Sequence, residues 1–390
     1  MPRGLGRCRF AGSDEGLVER TLWSGPGGTP RRLSSRAICD AQPLGCHLCP
    51  YDQLVRYHRV TAYLPISTLT MKKIISLFTG AGGLDIGFHE AGFEPLICVD
   101  HDHESCKTIR TNTNWPVFEG DIREFQPEGN AVGVIGGPPC QGFSPAGKGD
   151  PNDPRNMLWR EYFRVVKESS PDFVVLENVP GMLHTKNKGH FHDLIESLED
   201  LGFVVNYGVL NAADFGVPQS RRRLFVVAGR GFRIELPEPT VETHRTVKDA
   251  LKDLEGVKKA SNHVPNKHAS HVVERWKALG PGEMDPNYRR ARLDPDLPSP
   301  TIRAGGGYGP NGDHLAGFHP PIHYRYPRQL TVREAARLQG FPDSWLFEGS
   351  KTAQGRQVGN AVAPPVAGAV AREVLKALLS QLKDAERLVA

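Results

Sequence analysis

Several signals are missing from this chain of 390 residues. No run approaches the roughly 18 apolar residues that a membrane-spanning helix needs. The N-terminus also lacks the apolar core of a secretory signal, so a cytoplasmic protein with no membrane partner is expected. Cysteine is sparse and odd in number: Cys8, Cys39, Cys46 and Cys49 fall in the first 70 residues, and only Cys98, Cys106 and Cys140 follow. That distribution argues against a disulfide framework. Net charge is small, +4, so a polyanionic partner has to be argued from local sites. The glycine-rich turn at Gly80, Gly82 and Gly83 is not G-x-G-x-x-G, and nothing there supplies phosphate charge such as a Walker lysine, so the main signatures of dinucleotide and triphosphate binding are missing from it. With 39% hydrophobic residues, the chain has enough apolar side chains for a core.

Lysine is absent from residues 1–70, which hold nine arginines; residues 71–390 hold 23 arginines and 16 lysines. Before Met71, Pro and Gly are scattered through "SGPGGTPRRLSS" without a helical or strand period, as in a disordered extension or a segment upstream of the working start. Cys46-x-x-Cys49, with Cys39 and His47 nearby, has zinc-ligand spacing. A single pair with no second pair at finger spacing favours no metal site.

From Met71 the pattern alternates. "KKIISLF" reads as a strand, "TGAGG" as a tight turn and "LDIGFHEAG" as a helix closed by Gly92; "FEPLICVD", "FEGDI", "AVGVIGG" and "DFVVLEN" read as further strands. This predicts an α/β fold with a doubly wound, mostly parallel sheet, its ligands at the carboxyl ends of the strands. Gly80, Gly82 and Gly83 in the first turn would let a ligand approach the backbone. Asp100 lies at the end of the second strand, where ribose hydroxyls would be met, and Asp121 at the end of the third, where an adenine edge would be. A nucleoside cofactor without phosphates fits best, and S-adenosyl-L-methionine is the candidate.

Cys140, in "VIGGPPCQGFS", ends the fourth strand on the same edge. Pro138 and Pro139 stiffen the approach to it. A nucleophilic thiol needs help to ionise. Glu177 ends "DFVVLE" at the sheet rim, and Arg221 and Arg223 in "QSRRRLFVVAG" share one strand face, so two guanidiniums are expected to point inward together. "PRNMLWREYFRVVKESS" places Leu158, Tyr162, Val165 and Val166 at helical spacing. The C-terminal "PPVAGAVAREVLKALLSQL" repeats Val366, Val370, Val374, Leu378 and Leu382 every four residues, an amphipathic helix expected to return to the first part of the sheet.

In this order, "FTGAGGLDIGF", "VDHD", "GDI", "GGPPCQGFS", "ENV", "QSRRRLFVVAG", "RQLTVREAARLQGFP" and "QVGNAVAP" resemble the motifs of the DNA (cytosine-5)-methyltransferases, from Met71 to about Val374. The resemblance implies methyl transfer from S-adenosyl-L-methionine to C5 of a cytosine flipped out of duplex DNA. Cys140 would add to C6, Glu177 would hold N3 and the exocyclic amine, Arg223 would meet the base carbonyl, and Arg221 would support the site or the adjoining phosphate. The resemblance assigns the cofactor to Phe78, Ala81, Gly82, Gly83, Asp100, His101, Asp121, Ile122, Pro139, Leu158, Asn360 and Val362. It places Asp100 where the family more often has Glu. Ser144, Gln219, Thr301 and Ile302 are expected to touch DNA.

The α/β rhythm stops over residues 230–327, which hold seven of the 15 histidines and 15 Lys or Arg against 12 acids. The resemblance makes this the target-recognition domain, inserted between a catalytic part, 71–229, and its return, 328–390. Histidines reading bases or phosphates are expected there. Thr331 and Glu334 form a helix-capping box, with Gly340 as the stop. A tRNA methyltransferase is the nearest rival reading, but that branch carries Pro-Pro-Cys-Gln-Pro-Phe-Thr and a Cys-Phe-Thr segment that this chain lacks. A silent DNA-binding regulator would have lost Cys140 or Glu177. A monomer is expected, as the modification partner of a restriction endonuclease that acts on the same site without direct contact. A chain shortened to begin at Met71 is expected to transfer labelled methyl groups to DNA as fast as the full chain; a large loss of rate would show that residues 1–70 take part.

Overall fold

The computed structural model describes residues 72–139, 158–184, 188–257, 259–287, 290–304 and 318–389. All of them fall in the compact unit Ile66–Ala390. Cys140, Ser144 and the Cys39, Cys46 and Cys49 group lie outside the described residues.

The strands are β1 (Lys72–Leu77), β2 (Phe93–Asp100), β3 (Val117–Glu119), β4 (Gly133–Gly136), β5 (Phe173–Asn178), β6 (Phe203–Asn211), β7 (Gln219–Ser220), β8 (Arg222–Arg230), β9 (Met284–Asp285), β10 (Arg290–Ala291) and β11 (Ser299–Pro300). The helices are α1 (Gly83–Glu90), α2 (His103–Asn112), α3 (Leu158–Ser169), α4 (Lys188–Glu199), α5 (Val247–Leu251), α6 (Ser270–Ala278), α7 (Val332–Leu338), α8 (Lys351–Asn360) and α9 (Pro364–Val389). Seven strands form one sheet in the order β3-β2-β1-β4-β5-β8-β6. The first five pair in parallel, and β8 runs antiparallel to both β5 and β6. The chain winds outward from β1 through β2 to β3, then restarts on the other side with β4. This leaves a crevice beyond the carboxyl ends of β1 and β4, the switch point where open α/β sheets bind ligands. The expected mostly parallel α/β fold is thus the observed one.

Helices cover both faces, so the central strands read as nearly unbroken apolar runs. Alternate residues sort between the faces. Ile74, Ile135, Phe173, Val175, Phe225 and Val227 pack with α1 and α9, while Ile75, Val134, Val174, Leu176, Leu224 and Val226 pack with α3 and α4. Tyr162 of α3 is fully buried, and its hydroxyl donates to the carbonyls of Val134 and Val175, tying the helix to two strands at once.

The C-terminal helix does return to the start of the sheet. Val366, Val370, Val374 and Leu378 of α9 are buried, but Leu382 is 54% exposed, so the apolar stripe ends one turn sooner than its spacing predicts. The reason is length: 26 residues of helix span about 39 Å, whereas α1, against which α9 packs, has eight residues and spans about 12 Å.

The capping box of α7 is formed as expected: Thr331 Oγ1 accepts from the Glu334 amide, the Glu334 carboxylate accepts from the Thr331 amide, and Gly340 turns the chain at φ 88°. The histidines correct another expectation. His263 and His323 do not face outward toward bases or phosphates: both are buried. His263 Nδ1 lies 2.9 Å from Thr331 Oγ1. His323 Nδ1 accepts from the Arg325 amide, and burial pulls this imidazole down to about 4. They are neutral parts of the framework that seats α7.

Helices α1 and α9 approach so closely that a Cβ on Gly87 would stand 2.4 Å from the Gly368 nitrogen and 2.6 Å from the Pro364 carbonyl oxygen. Gly87→Ala gains about 1 kcal/mol of helix propensity. It also forces apart two backbones that cannot yield, at a cost of about 1–3 kcal/mol or more. A lowered urea midpoint is the expected outcome for Gly87→Ala; an unchanged or raised midpoint would show that the two helices can separate freely.

Candidate active site

Glu177 is the last but one residue of β5, and its register partner on β8 is Phe225, two residues beyond Arg223. Its side chain is buried, and Arg223 Nε lies 3.0 Å from its Oε1. That contact is ionic but not aligned as a hydrogen bond, so Oε1 has no hydrogen-bond partner among the described residues. Burial raises the Glu177 pKa, and the charges of Arg223 and Arg221 only partly oppose that shift. The result is a carboxyl group able to hold a proton, aimed where an acceptor can meet it.

The strand-four turn is built against this carboxyl group. A Cβ on Gly137 would lie 3.2 Å from Glu177 Oε2, so glycine keeps the approach open. Asn178 Nδ2 donates to the Pro138 carbonyl at 3.2 Å, while Asn178 Oδ1 accepts from the Val179 amide at 2.8 Å. Asn178 was not singled out from the sequence, yet it fixes the residue two before Cys140. Of the other cysteines, Cys98 and Cys106 are buried free thiols. Burial pushes both up, Cys106 to about 12, so neither is a ready thiolate.

At the first turn, Gly80, Gly82 and Phe78 all have positive φ, 56°, 79° and 55°. A bulky residue in that region stores strain, which tends to mark functional turns. The glycines serve different ends. Beside Gly80 there is open space. A Cβ on Gly82 would meet Ile109, and one on Gly83 would stand 2.2 Å from the Val362 carbonyl oxygen. The turn and the Asn360–Val362 segment therefore meet, although nearly 300 residues separate them. Ala81 is buried, Asn360 is exposed and Pro139 and Leu158 are half-buried.

Asp100 accepts from the Gly80 amide at 2.8 Å through one oxygen and from the Asp102 amide at 2.9 Å through the other. It is mostly buried, and desolvation raises its pKa; its ionic neighbour is His101, 3.6 Å away. Asp121 caps the short turn Ile122–Glu124 and is hydrogen-bonded by Arg123, which lowers it to about 2. The Ile122 side chain is buried in the core beneath it.

Three expected contacts need correction. Arg221 does not point into the pocket beside Arg223. It is buried, and its guanidinium donates to the carbonyls of Ile302 at 3.0 Å, Gly359 at 2.9 Å and Ala361 at 3.0 Å. Gln219 and Ile302, expected on DNA, are both wholly buried. Gln219 Oε1 accepts from the Ile302 amide at 3.0 Å, and its Nε2 donates to Gln339 Oε1 at 2.7 Å and to the Leu338 carbonyl at 3.0 Å. The physical reason is the pairing of β7 with β11, which leaves these side chains facing protein on every side. Thr301 remains partly exposed, with its hydroxyl donating to the Ser220 carbonyl at 2.9 Å.

Comparison with known proteins places this architecture. The family profile described as C-5 cytosine-specific DNA methylase matches residues 72–376. The Type II methyltransferase M1.HphI of Haemophilus parahaemolyticus is 38% identical over 333 residues, covering 77% of this chain and 86% of its own. Type II methyltransferase M.NgoFVII of Neisseria gonorrhoeae is 34% identical over 345 residues, covering 79% and 88%. A prophage-encoded E. coli protein, described as a candidate DNA modification methyltransferase, superposes with a TM-score of 0.68 at 28% identity over 78% of this chain and 99% of its own. A match across most of the length, on a sheet whose switch point carries Glu177, Arg223 and the approach to Cys140, makes this chain a member of the C-5 cytosine-specific DNA methylase family.

Proposed function

We propose that this protein is the modification enzyme of a Type II restriction-modification system, methylating C5 of one cytosine in a specific duplex sequence through a covalent bond from Cys140 to C6. The observation that carries the reading is Glu177: a buried carboxyl group with a raised pKa, braced by Arg223, whose Oε1 has no hydrogen-bond partner among the described residues. It suits the N3 and exocyclic amine of a cytosine taken out of the stack. A restriction endonuclease acting on the same sequence is the functional partner, and the enzyme acts as a monomer.

The first turn fits S-adenosyl-L-methionine. Gly80 opens onto space, and its amide donates to the buried Asp100 carboxylate beside it. A phosphate would be repelled there and a cation tolerated. Phe78, Ala81, Gly82, Gly83, Asp100, His101, Asp121, Ile122, Pro139, Leu158, Asn360 and Val362 would hold the cofactor, which when bound supplies an electrophilic methyl group. Asp100 and Asp121 offer acceptors to hydroxyl and amine groups, and the backbone of the turn excludes water from one side.

Cytosine C5 is a weak nucleophile. Attack of the Cys140 thiolate on C6 pushes electron density onto C5, while a proton held by Glu177 at N3 stabilises the charge that develops. Arg223 keeps the carboxyl group in place and faces the base carbonyl. Once C5 has accepted the methyl group and lost its proton, the Cys140–C6 bond breaks and the thiolate leaves. The target-recognition part, 230–327, chooses the sequence, with Thr301 and Ser144 at the DNA.

Sequencing of bisulfite-treated DNA from cells making the protein is expected to show one short sequence protected at one cytosine; conversion of every cytosine would sink the assignment. Cys140→Ala is expected to abolish methyl transfer while still binding duplex DNA, and to lose the covalent complex that the unaltered enzyme forms on DNA containing 5-fluorocytosine. For Glu177 the sign is set by its raised pKa: the protonated form persists to higher pH than in an ordinary carboxyl group, and activity falls as pH rises through that value. Glu177→Gln, always uncharged, is expected to slow the reaction by about 10²–10⁴-fold and to flatten this alkaline limb. An alkaline limb unchanged in Glu177→Gln would assign it to another group.

A further inference from the structure

The residues displaced from the DNA contact list form a buried hub of their own. Gly359 and Ala361 carry carbonyls at the C-terminal end of α8, where the helix dipole is negative and carbonyls lack helical partners. Arg221 donates to both of them and, from the same guanidinium, to the Ile302 carbonyl just beyond β11. Gln339, at the end of α7, donates to the Ala361 carbonyl at 2.6 Å and accepts from Gln219, which in turn accepts from the Ile302 amide. Both polar atoms of the Ile302 backbone are therefore tied to the end of α8, one directly through Arg221 and one through the two glutamines.

Helix α8 carries a second set of contacts on the same partner. Gly355 and Gly359 are one turn apart on one face. A Cβ on Gly359 would stand 2.3 Å from the Ala304 nitrogen, and one on Gly355 would stand 1.9 Å from the Phe318 ring. Ala304 and Phe318 flank residues 305–317, so both flanks are seated on α8. The same helix leads directly into Asn360 and Val362, the latter pressed against the Gly83 turn.

We infer that Arg221, Gln219, Gln339 and the glycine face of α8 are positioning residues that join the recognition segment Thr301–Ala304 to the cofactor segment Asn360–Val362. In this role Arg221 acts through main-chain carbonyls. This rests on the placement of S-adenosyl-L-methionine proposed above. A ligand that fixes Asn360–Val362 also fixes the α8 carbonyls, and through Arg221 it holds Ile302 and the Thr301 beside it. Linkage makes the effect reciprocal: DNA held at Thr301 favours the ordered cofactor segment by the same factor.

Hydrogen exchange on the full chain tests this with S-adenosylhomocysteine alone. Exchange is expected to slow at least about fivefold both in peptides covering residues 78–102 and, at a distance, in peptides covering 299–304. In Gly359→Ala, which forces Ala304 away, and in Arg221→Met, the slowing near 78–102 is expected to persist while that over 299–304 is lost. KM for duplex DNA is expected to rise at least about fivefold, with a smaller change in kcat. Slowing near 78–102 without any over 299–304 in the unaltered protein would overturn the coupling and leave the cofactor site standing. No slowing anywhere would overturn the cofactor placement and the coupling together. Should either variant fail to fold, the exchange pattern of the unaltered protein decides by itself.

Discussion

A guanidinium buried without a carboxylate in contact is costly unless something equally polar surrounds it. Arg221 meets most of that requirement through its two terminal nitrogens, which donate to three main-chain carbonyls from two parts of the chain, while its Nε has no hydrogen-bond partner among the described residues. It donates to carbonyls at the end of α8, on either side of Asn360. Because it also occupies Ile302, Thr301 stays at the rim beside Ser220. Its neighbour two residues on, Arg223, is then left to balance Glu177. Two arginines two residues apart thus have different surroundings: Arg221, just before β8, is held by main-chain carbonyls, and Arg223, on β8, stands against Glu177.

Glu177 shows how surroundings shift the protonation of an ordinary carboxyl group. Neutralised fully, it would be an inert ion pair; left alone, it would be a simple buried acid. Arg223 stands close enough to limit the effect of burial but is not aligned to occupy Oε1. The glycine at 137 and the amide of Asn178 then bring the strand-four turn to the same place.

Much of this was legible in the sequence. Apolar runs and their alternation give the strands from β1 to β5, the Thr331–Glu334 spacing gives the start of α7, and the ordered motifs give the family. What was not legible is the direction of side chains whose surroundings come from remote segments. Gln219 and Arg221 look like surface residues in "QSRRR", since neither has a local feature that betrays burial; they are covered by residues more than 80 positions away. The histidines of 230–327 misled for the same reason, because His263 and His323 are covered by the segment around α7. Gly355 and Gly359 did carry a signal, a four-residue spacing of small residues inside a helix, but only the fold shows what lies against them. Gly82 and Gly83 illustrate a subtler case. Their place in the turn was evident, whereas their fit against Ile109 and the Val362 carbonyl belongs to packing.

The junction of α1 and α9 has a consequence for how the molecule comes into being. α1 follows the first strand of the sheet, yet the surface that closes over Gly83 and Gly87 is supplied by Val362, Pro364 and Gly368. During synthesis more than 270 residues beyond α1 are therefore made before its partner exists, and the sheet waits with one face uncovered. Contacts so far apart in sequence form slowly and leave apolar surface exposed meanwhile. A nascent chain cannot close the Gly83 turn against Val362 until that residue has been made.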